Sequence, residues 1–160
     1  MKWMLFLLLL AALHTHANDS TKLYNPKANV ATDVAHLLQK AKQDKKHVLI
    51  QIGGNWCVWC YRLNSFVFTD TLLKKIINNN YLFYHLNYSK ENKNLDYLET
   101  LGFPQRFGFP VLVILDADGR RLHTQDSALL EKGHGYDHEK VKSFLKSWAP
   151  GAFDKTFYQE

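Results

Sequence analysis

Cysteine is scarce in this chain. Two are present in 160 residues, and both stand in one pentapeptide, Trp56-Cys57-Val58-Trp59-Cys60. A structural zinc site normally takes four ligands of this soft kind, and no second cysteine pair exists to complete one. Haem attachment through C-x-x-C-H is excluded because Tyr61 stands where the histidine belongs. A disulfide kept only for stability would close too small a loop to restrain the unfolded chain much. Clustered charge is missing too. The formal net charge is +5, but Lys and Arg are scattered in short pairs such as Lys45-Lys46, Lys74-Lys75 and Arg120-Arg121. That pattern describes a solvated surface and not the basic stripe of a nucleic-acid binder. The chain has no internal repeat and no low-complexity segment. Beyond residue 13 it has no apolar run long enough to cross a bilayer.

What is present points to thiol chemistry. The cysteines follow an apolar run (Val48, Leu49, Ile50, Ile52) and a Gly53-Gly54 break, and a helix-compatible stretch, Tyr61 to Phe68, comes after them. At the start of a helix, residues three apart share a face, at a separation of about 5–6 Å that a disulfide accepts. The pair could therefore cycle between dithiol and disulfide with little backbone movement. Unpaired N–H groups and the partial positive charge of the helix N-terminus favour a thiolate, the species that attacks another disulfide. Cys57, at the outer edge of the turn, is the expected nucleophile. Cys60, one turn in, is the expected resolving thiol.

The first 17 residues read as a secretory signal: Lys2 supplies positive charge, Trp3 to Leu13 is an apolar run too short to span, and Thr15-His16-Ala17 approximates a cleavage site. The expected product is exported, with the periplasm the favoured destination and no stable membrane insertion. A disulfide is permitted there. Residues 18–29 read as a loose N-terminal arm, 30–149 as one domain, and 150–160 as an aromatic-bearing tail. Within the domain, Val30, Val34, Leu37, Leu38 and Ala41 recur at helical spacing. His47 to Ile52 is a strand of the kind covered on both faces, interrupted by Gln51. Leu72, Leu73, Ile76 and Ile77 form a helical face after the capping residues Thr69 and Asp70. Tyr81 to Asn87 is a second strand; Leu95, Leu98 and Leu101 suggest a short helix; Val111 to Leu115 is a third strand. Asp118-Gly119 turns the chain into an antiparallel partner, Arg120 to Thr124. Asp137 caps a last helix with Val141, Phe144, Leu145 and Trp148 inward, and Pro150-Gly151 ends it. This order predicts an α/β sandwich of three layers, a central mixed sheet flanked by helices. Phe66, Phe68, Phe83 and Phe107 are expected in the core. His85, His123, His134 and His138 have no evident partner and read as surface or packing residues.

With these elements placed, the chain resembles the thioredoxin-fold family, and in particular exported bacterial thioredoxin-like proteins. The residues that carry the likeness are the Trp-Cys-x-Trp-Cys motif after a strand, Gly108-Phe109-Pro110 before Val111 to Leu115, the Asp118-Gly119 hairpin and the terminal helix. The resemblance implies that Pro110 follows a cis peptide bond, lies against the cysteines and keeps metals away from them. It also implies that the backbone of Phe109 pairs with an extended stretch of substrate. Pro104, with no strand directly after it, is the weaker candidate for that role. Trp56 and Trp59 are candidates for an apolar rim that receives a protein substrate, or for simple shields of the disulfide. The family often places a buried acid in the central strand, where this chain has Gln51. Glutamine cannot take a proton from Cys60, so resolution must rely on water or another base. The implied activity is disulfide exchange with protein thiols and disulfides by a monomer. It calls for no metal or organic cofactor but requires a membrane or soluble redox partner to reset the pair. Two alternatives stand beside it: a reductant dedicated to one client, such as apocytochrome maturation, and a protein- or peptide-binding module whose disulfide is static.

Overall fold

A computed structural model describes residues 22–159; the expected signal segment lies outside them. Four strands form the main sheet: β1 (His47–Gly53), β2 (Tyr81–Asn87), β3 (Val111–Leu115) and β4 (Arg121–Asp126). Their order is β2-β1-β3-β4, with β1 parallel to β2 and antiparallel to β3, and β3 antiparallel to β4. Five helices flank it: α1 (Val30–Asp44), α2 (Val58–Thr69), α3 (Thr71–Asn80), α4 (Leu95–Thr100) and α5 (His138–Ser147). A two-residue hairpin, β5 (Glu131–Lys132) with β6 (Gly135–Tyr136), is an element that the sequence reading did not anticipate. No helix among the described residues is long and apolar enough to cross a membrane.

Every residue of β1 is buried, which is what a near-continuous apolar strand between two helical layers requires. Its alternate side chains serve two cores. Val48, Ile50 and Ile52 pack with Val111, Val113 and Leu115 on the α1 side. Leu49 packs with Leu112, Ile114, Leu63, Ile77 and Leu145 on the face covered by α2, α3 and α5. Strand periodicity puts Gln51 on the same face as Leu49, beneath the cysteine helix. Short polar side chains start the helices. Asn29 accepts the Thr32 N–H, Asp70 accepts that of Leu73, and Asp137 accepts those of Glu139 and Lys140.

Four expectations are corrected. Residues 22–29 are not a loose arm: Tyr24 is 2 % exposed and belongs to the core beneath α2. Phe107 is exposed, because the turn Pro104–Phe107 leaves the strand direction before Gly108. Leu72 is exposed while Leu73, Ile76 and Ile77 are buried, since Leu72 lies on the outer side of the first turn of α3. β4 runs on to Asp126, beyond Thr124. The tail also has a place. The ring of Phe153 meets those of His47 and Trp148 edge-on and tilted, at 5.7 and 6.0 Å, and His47 Nδ1 pairs with the Trp148 carbonyl at 2.9 Å.

These burials set a contrast that urea denaturation can check. Leu145→Ala, at a fully packed position, should lower stability by about 2–5 kcal/mol. Leu72→Ala should change it by less than about 0.5 kcal/mol. Equal losses would place the α3 face wrongly.

Candidate active site

The site is assembled where β1 ends and α2 begins. Cys57 and Cys60 form a disulfide, with Cα atoms 5.3 Å apart. Cys57 is the N-cap of α2 in extended backbone, and its Sγ accepts the Cys60 N–H at 3.1 Å. A sulfur at this position lies in the positive end of the helix and against one of its free donors, so the geometry suits a thiolate there. Both cysteines are buried, Cys57 at 4 % and Cys60 at 0 % exposure.

Two glycines are required by close approach. A Cβ on Gly53 would stand 2.3 Å from Cys60 Sγ and 2.9 Å from the Tyr24 hydroxyl oxygen. One on Gly54 would stand 2.3 Å from the indole nitrogen of Trp56. The Gly53-Gly54 pair thus lets the disulfide settle against the strand end and lets Trp56 fold back across the loop.

The sequence-derived rim residues fall on two sides. Trp56 is 56 % exposed, donates its indole N–H to the Tyr88 carbonyl at 2.8 Å and meets Phe109 edge-on at 5.3 Å. Tyr88 covers the other part of Phe109 at 4.8 Å. Trp56, Phe109 and Tyr88 therefore form one aromatic shelf beside the disulfide. Trp59 is half-buried on the opposite side, edge-on to Tyr136 at 5.6 Å with the Arg62 guanidinium 4.8 Å above its ring. The Phe109–Pro110 bond is cis, as the resemblance implied, and it is the only cis bond among the described residues. Pro104 is accordingly not the cis proline.

The underside of the site is where sequence reasoning missed a residue. Gln51, fully buried, donates from Nε2 to the Tyr24 hydroxyl at 2.6 Å and to the Cys60 carbonyl at 3.2 Å. Its Oε1 has no hydrogen-bond partner among the described residues. Tyr24 is clamped by Asn55, which accepts its N–H at 3.0 Å and donates to its carbonyl at 2.8 Å. Tyr61 in turn donates its hydroxyl to Asn55 at 3.0 Å. Burial pushes the Tyr24 phenol well above its ordinary range. The available signal was an aromatic residue in an otherwise polar stretch, Asn18 to Asn29, and it could not say what the ring would meet.

Among the histidines, His85 pairs through Nε2 with Asn64 Oδ1 at 3.1 Å and lies edge-on to Tyr24 at 5.3 Å. His123 stacks on Trp148 at 4.2 Å, and His138 lies 3.3 Å from the Asp70 carboxylate. His123 and His138 make packing or surface contacts, His85 packs on the Tyr24 ring that lies against the cysteines, and His134 is exposed. Burial holds His85 down at about 4, from 6.5. The folded state then binds fewer protons than the unfolded one between those values. The contribution of neutral His85 is whole above about 6.5 and is lost as pH falls from there toward 4. His85→Gln should flatten the acid limb of a stability–pH profile in that window, by up to about 1.4 kcal/mol per pH unit. Urea midpoints measured from pH 7 to 4 would show an unchanged slope if this is wrong.

Comparison with known proteins places the arrangement. Residues 28–117 match the thioredoxin-like family. The chain is 29 % identical over 122 residues, 70 % of each protein, to the disulfide bond reductase DsbH of Chlamydia pneumoniae. Its fold is similar to that of a disulphide isomerase from Xylella fastidiosa Temecula1, with a TM-score of 0.68, 22 % identity, and coverage of 78 % of this chain and 94 % of that one. It is also similar in fold to the reduced C-terminal domain of DsbD from Neisseria meningitidis, with a TM-score of 0.54, 16 % identity, and coverage of 76 % and 95 %. The family match spans more than half of the chain and includes both cysteines, so the protein belongs to the thioredoxin-like family, and its C-x-x-C pair is that of a thiol–disulfide oxidoreductase.

Proposed function

We propose that this oxidoreductase is exported and exchanges disulfides with protein substrates, with Cys57 as nucleophile and Cys60 as resolving thiol. The observation that carries the assignment is the position of Cys57 as N-cap of α2, its sulfur on the Cys60 N–H, beside the Trp56–Phe109–Tyr88 shelf. In the reducing direction the Cys57 thiolate attacks one sulfur of a substrate disulfide. A Cys57–substrate disulfide forms, and the other substrate sulfur leaves with the electron pair and takes a proton. Cys60, having lost its proton, then attacks Cys57 Sγ. The internal disulfide forms, and the second substrate sulfur leaves and is protonated. Run backwards, the same steps oxidise a dithiol.

The substrate surface in this reading is Trp56, Phe109 and Pro110, with Trp59 on the far side. Exposed aromatic area next to a reactive sulfur favours a peptide segment over a small thiol. The backbone of Phe109 is the element against which an extended substrate would lie. Export rests on the signal-like pattern of residues 1–17. An exported pair must be reset by a redox partner, either in the membrane or soluble. The relative named a disulfide bond reductase favours the reducing direction.

Three variants test this on an insulin-reduction turbidity assay and by trapping. Cys57→Ser should abolish exchange. Cys60→Ser should accumulate a mixed disulfide through Cys57 with a disulfide-bonded substrate. Trp56→Ala should raise KM several-fold for a peptide disulfide while leaving reaction with a small aromatic disulfide within about twofold, on the order of one lost aromatic contact. Retained binding and function in both cysteine variants would replace the catalytic reading with a static binding module. The direction of electron flow follows from the reduction potential, measured in glutathione buffers with alkylation of free thiols. A value near about −270 mV marks a reductant and one near about −120 mV an oxidant.

A further inference from the structure

The resolving sulfur has a chemical problem. Cys60 is 0 % exposed, yet in either direction it must carry negative charge, as attacking thiolate or as leaving group. An unpaired buried charge is strongly disfavoured, and the residue facing it from β1 is a neutral amide, Gln51. The titratable groups that bear on Tyr24 are Tyr61 from α2 and Tyr136 from β6, and His85 from β2 lies edge-on to its ring. These are two phenols and an imidazole, with no carboxylate or ammonium among them.

Tyr24 supplies what is missing. Its hydroxyl oxygen and Cys60 Sγ both crowd the point where a Gly53 Cβ would be, at 2.9 and 2.3 Å. Tyr24, Cys57 and Cys60 pack as one buried cluster. The hydroxyl oxygen already accepts from Gln51 Nε2, so its own proton is left to point elsewhere, and with the disulfide closed no oxygen, nitrogen or sulfur among the described residues accepts it. A hydroxyl can accept and donate at once, and accepting from Gln51 polarises the O–H toward a second partner.

Resting on the assignment of Cys60 as resolving thiol, we infer that Tyr24, oriented by Gln51, donates a hydrogen bond to the Cys60 thiolate and stands in for the buried acid of related sites. Tyr24 keeps its proton throughout; it stabilises charge and does not act as a base. When an incoming thiolate attacks Cys57 Sγ, the Cys57–Cys60 bond breaks and a bond from Cys57 to the attacking sulfur forms. The electron pair leaves on Cys60 Sγ, where the Tyr24 O–H receives it. In the opposite direction Cys60 gives its proton to water, the Tyr24 O–H holds the resulting thiolate, and that thiolate attacks Cys57 Sγ; the Cys57–substrate bond breaks, and the substrate sulfur leaves with the electron pair and is protonated. Charge-assisted donors of this kind are stronger than neutral ones.

Tyr24→Phe keeps the ring and removes only the hydroxyl. In a Cys57→Ser background, the Cys60 thiol pKa can be read from thiolate absorbance or alkylation rate. Loss of the hydroxyl should raise it by about one unit, tenfold less thiolate at a given pH. With both cysteines present, decay of a preformed Cys57–peptide mixed disulfide should slow about tenfold at pH 7 and recover toward the wild-type rate as pH rises. The first attack by Cys57 should be unchanged. A packing role would slow decay equally at all pH values, and that result would overturn the inference. So would a Cys60 pKa and decay rate within twofold of wild type. 3-Fluorotyrosine at position 24, a stronger donor of the same shape, should shift the Cys60 pKa the opposite way, and a shift in the same direction as Tyr24→Phe would count against the inference. Absence of exchange in the wild-type protein itself would instead refute the function proposed above.

Discussion

The fold is arranged around one close approach: the sulfur of Cys60 against the α-carbon of Gly53. No side chain fits between them, so the end of β1 and the first turn of α2 are locked at contact distance. Everything that bears on the disulfide follows from that contact. β1 must be a central strand, because its end has to be held from both sides, and its burial along the whole length is how that is achieved. α2 must be capped by Cys57, which places the outer sulfur at the helix terminus and the inner one underneath the helix. The shelf of Trp56, Phe109 and Tyr88 is possible because Gly54, next in line, also lacks a side chain.

Beneath the helix, neutrality is the governing property. Related sites often place an acid at the position of Gln51. The acid would titrate and so impose its own pH dependence on the inner thiol. An amide cannot, and here it spends both of its N–H groups on fixed acceptors, the Tyr24 hydroxyl and the Cys60 carbonyl. Burial keeps the Tyr24 phenol protonated and His85 unprotonated near neutrality. The result is a site whose inner half is built of oriented dipoles and whose outer half uses the helix terminus. Each 30 mV of redox poise corresponds to about 1.4 kcal/mol, so the alignment of a few dipoles is enough to move it.

How far the sequence could be read depended on the range of the interactions involved. Strand β1, the cysteine helix, strand β3 and the capped α5 were legible because their signals are local: an apolar run, a glycine break, Asp137 before an amphipathic stretch. The cis bond before Pro110 was legible only through the family likeness. Phe107 was misread because an aromatic residue near a strand looks like core until the turn at Pro104 is known. Leu72 was misread because four apolar residues at helical spacing allow more than one face, and only the neighbours α2 and α5 select Leu73, Ile76 and Ile77. The aromatic–imidazole stack of His123 on Trp148 joins β4 to the end of α5, and no local pattern announces it.

By itself the sequence determined the chemistry available: two cysteines three apart after a strand and before a helix. It also determined the α/β class, since alternating apolar strands and capped helices have few ways to bury their faces. Only the tertiary structure decided the surroundings of the inner sulfur. Tyr24 and Gln51 are 27 positions apart, and Tyr24 lies in a polar stretch that carries no periodicity. Its burial depends on Asn55 gripping its backbone from the loop before α2, with the Tyr61 hydroxyl donating to Asn55. A side chain's partner across such a distance is set by packing of the whole domain, which no short window of sequence encodes.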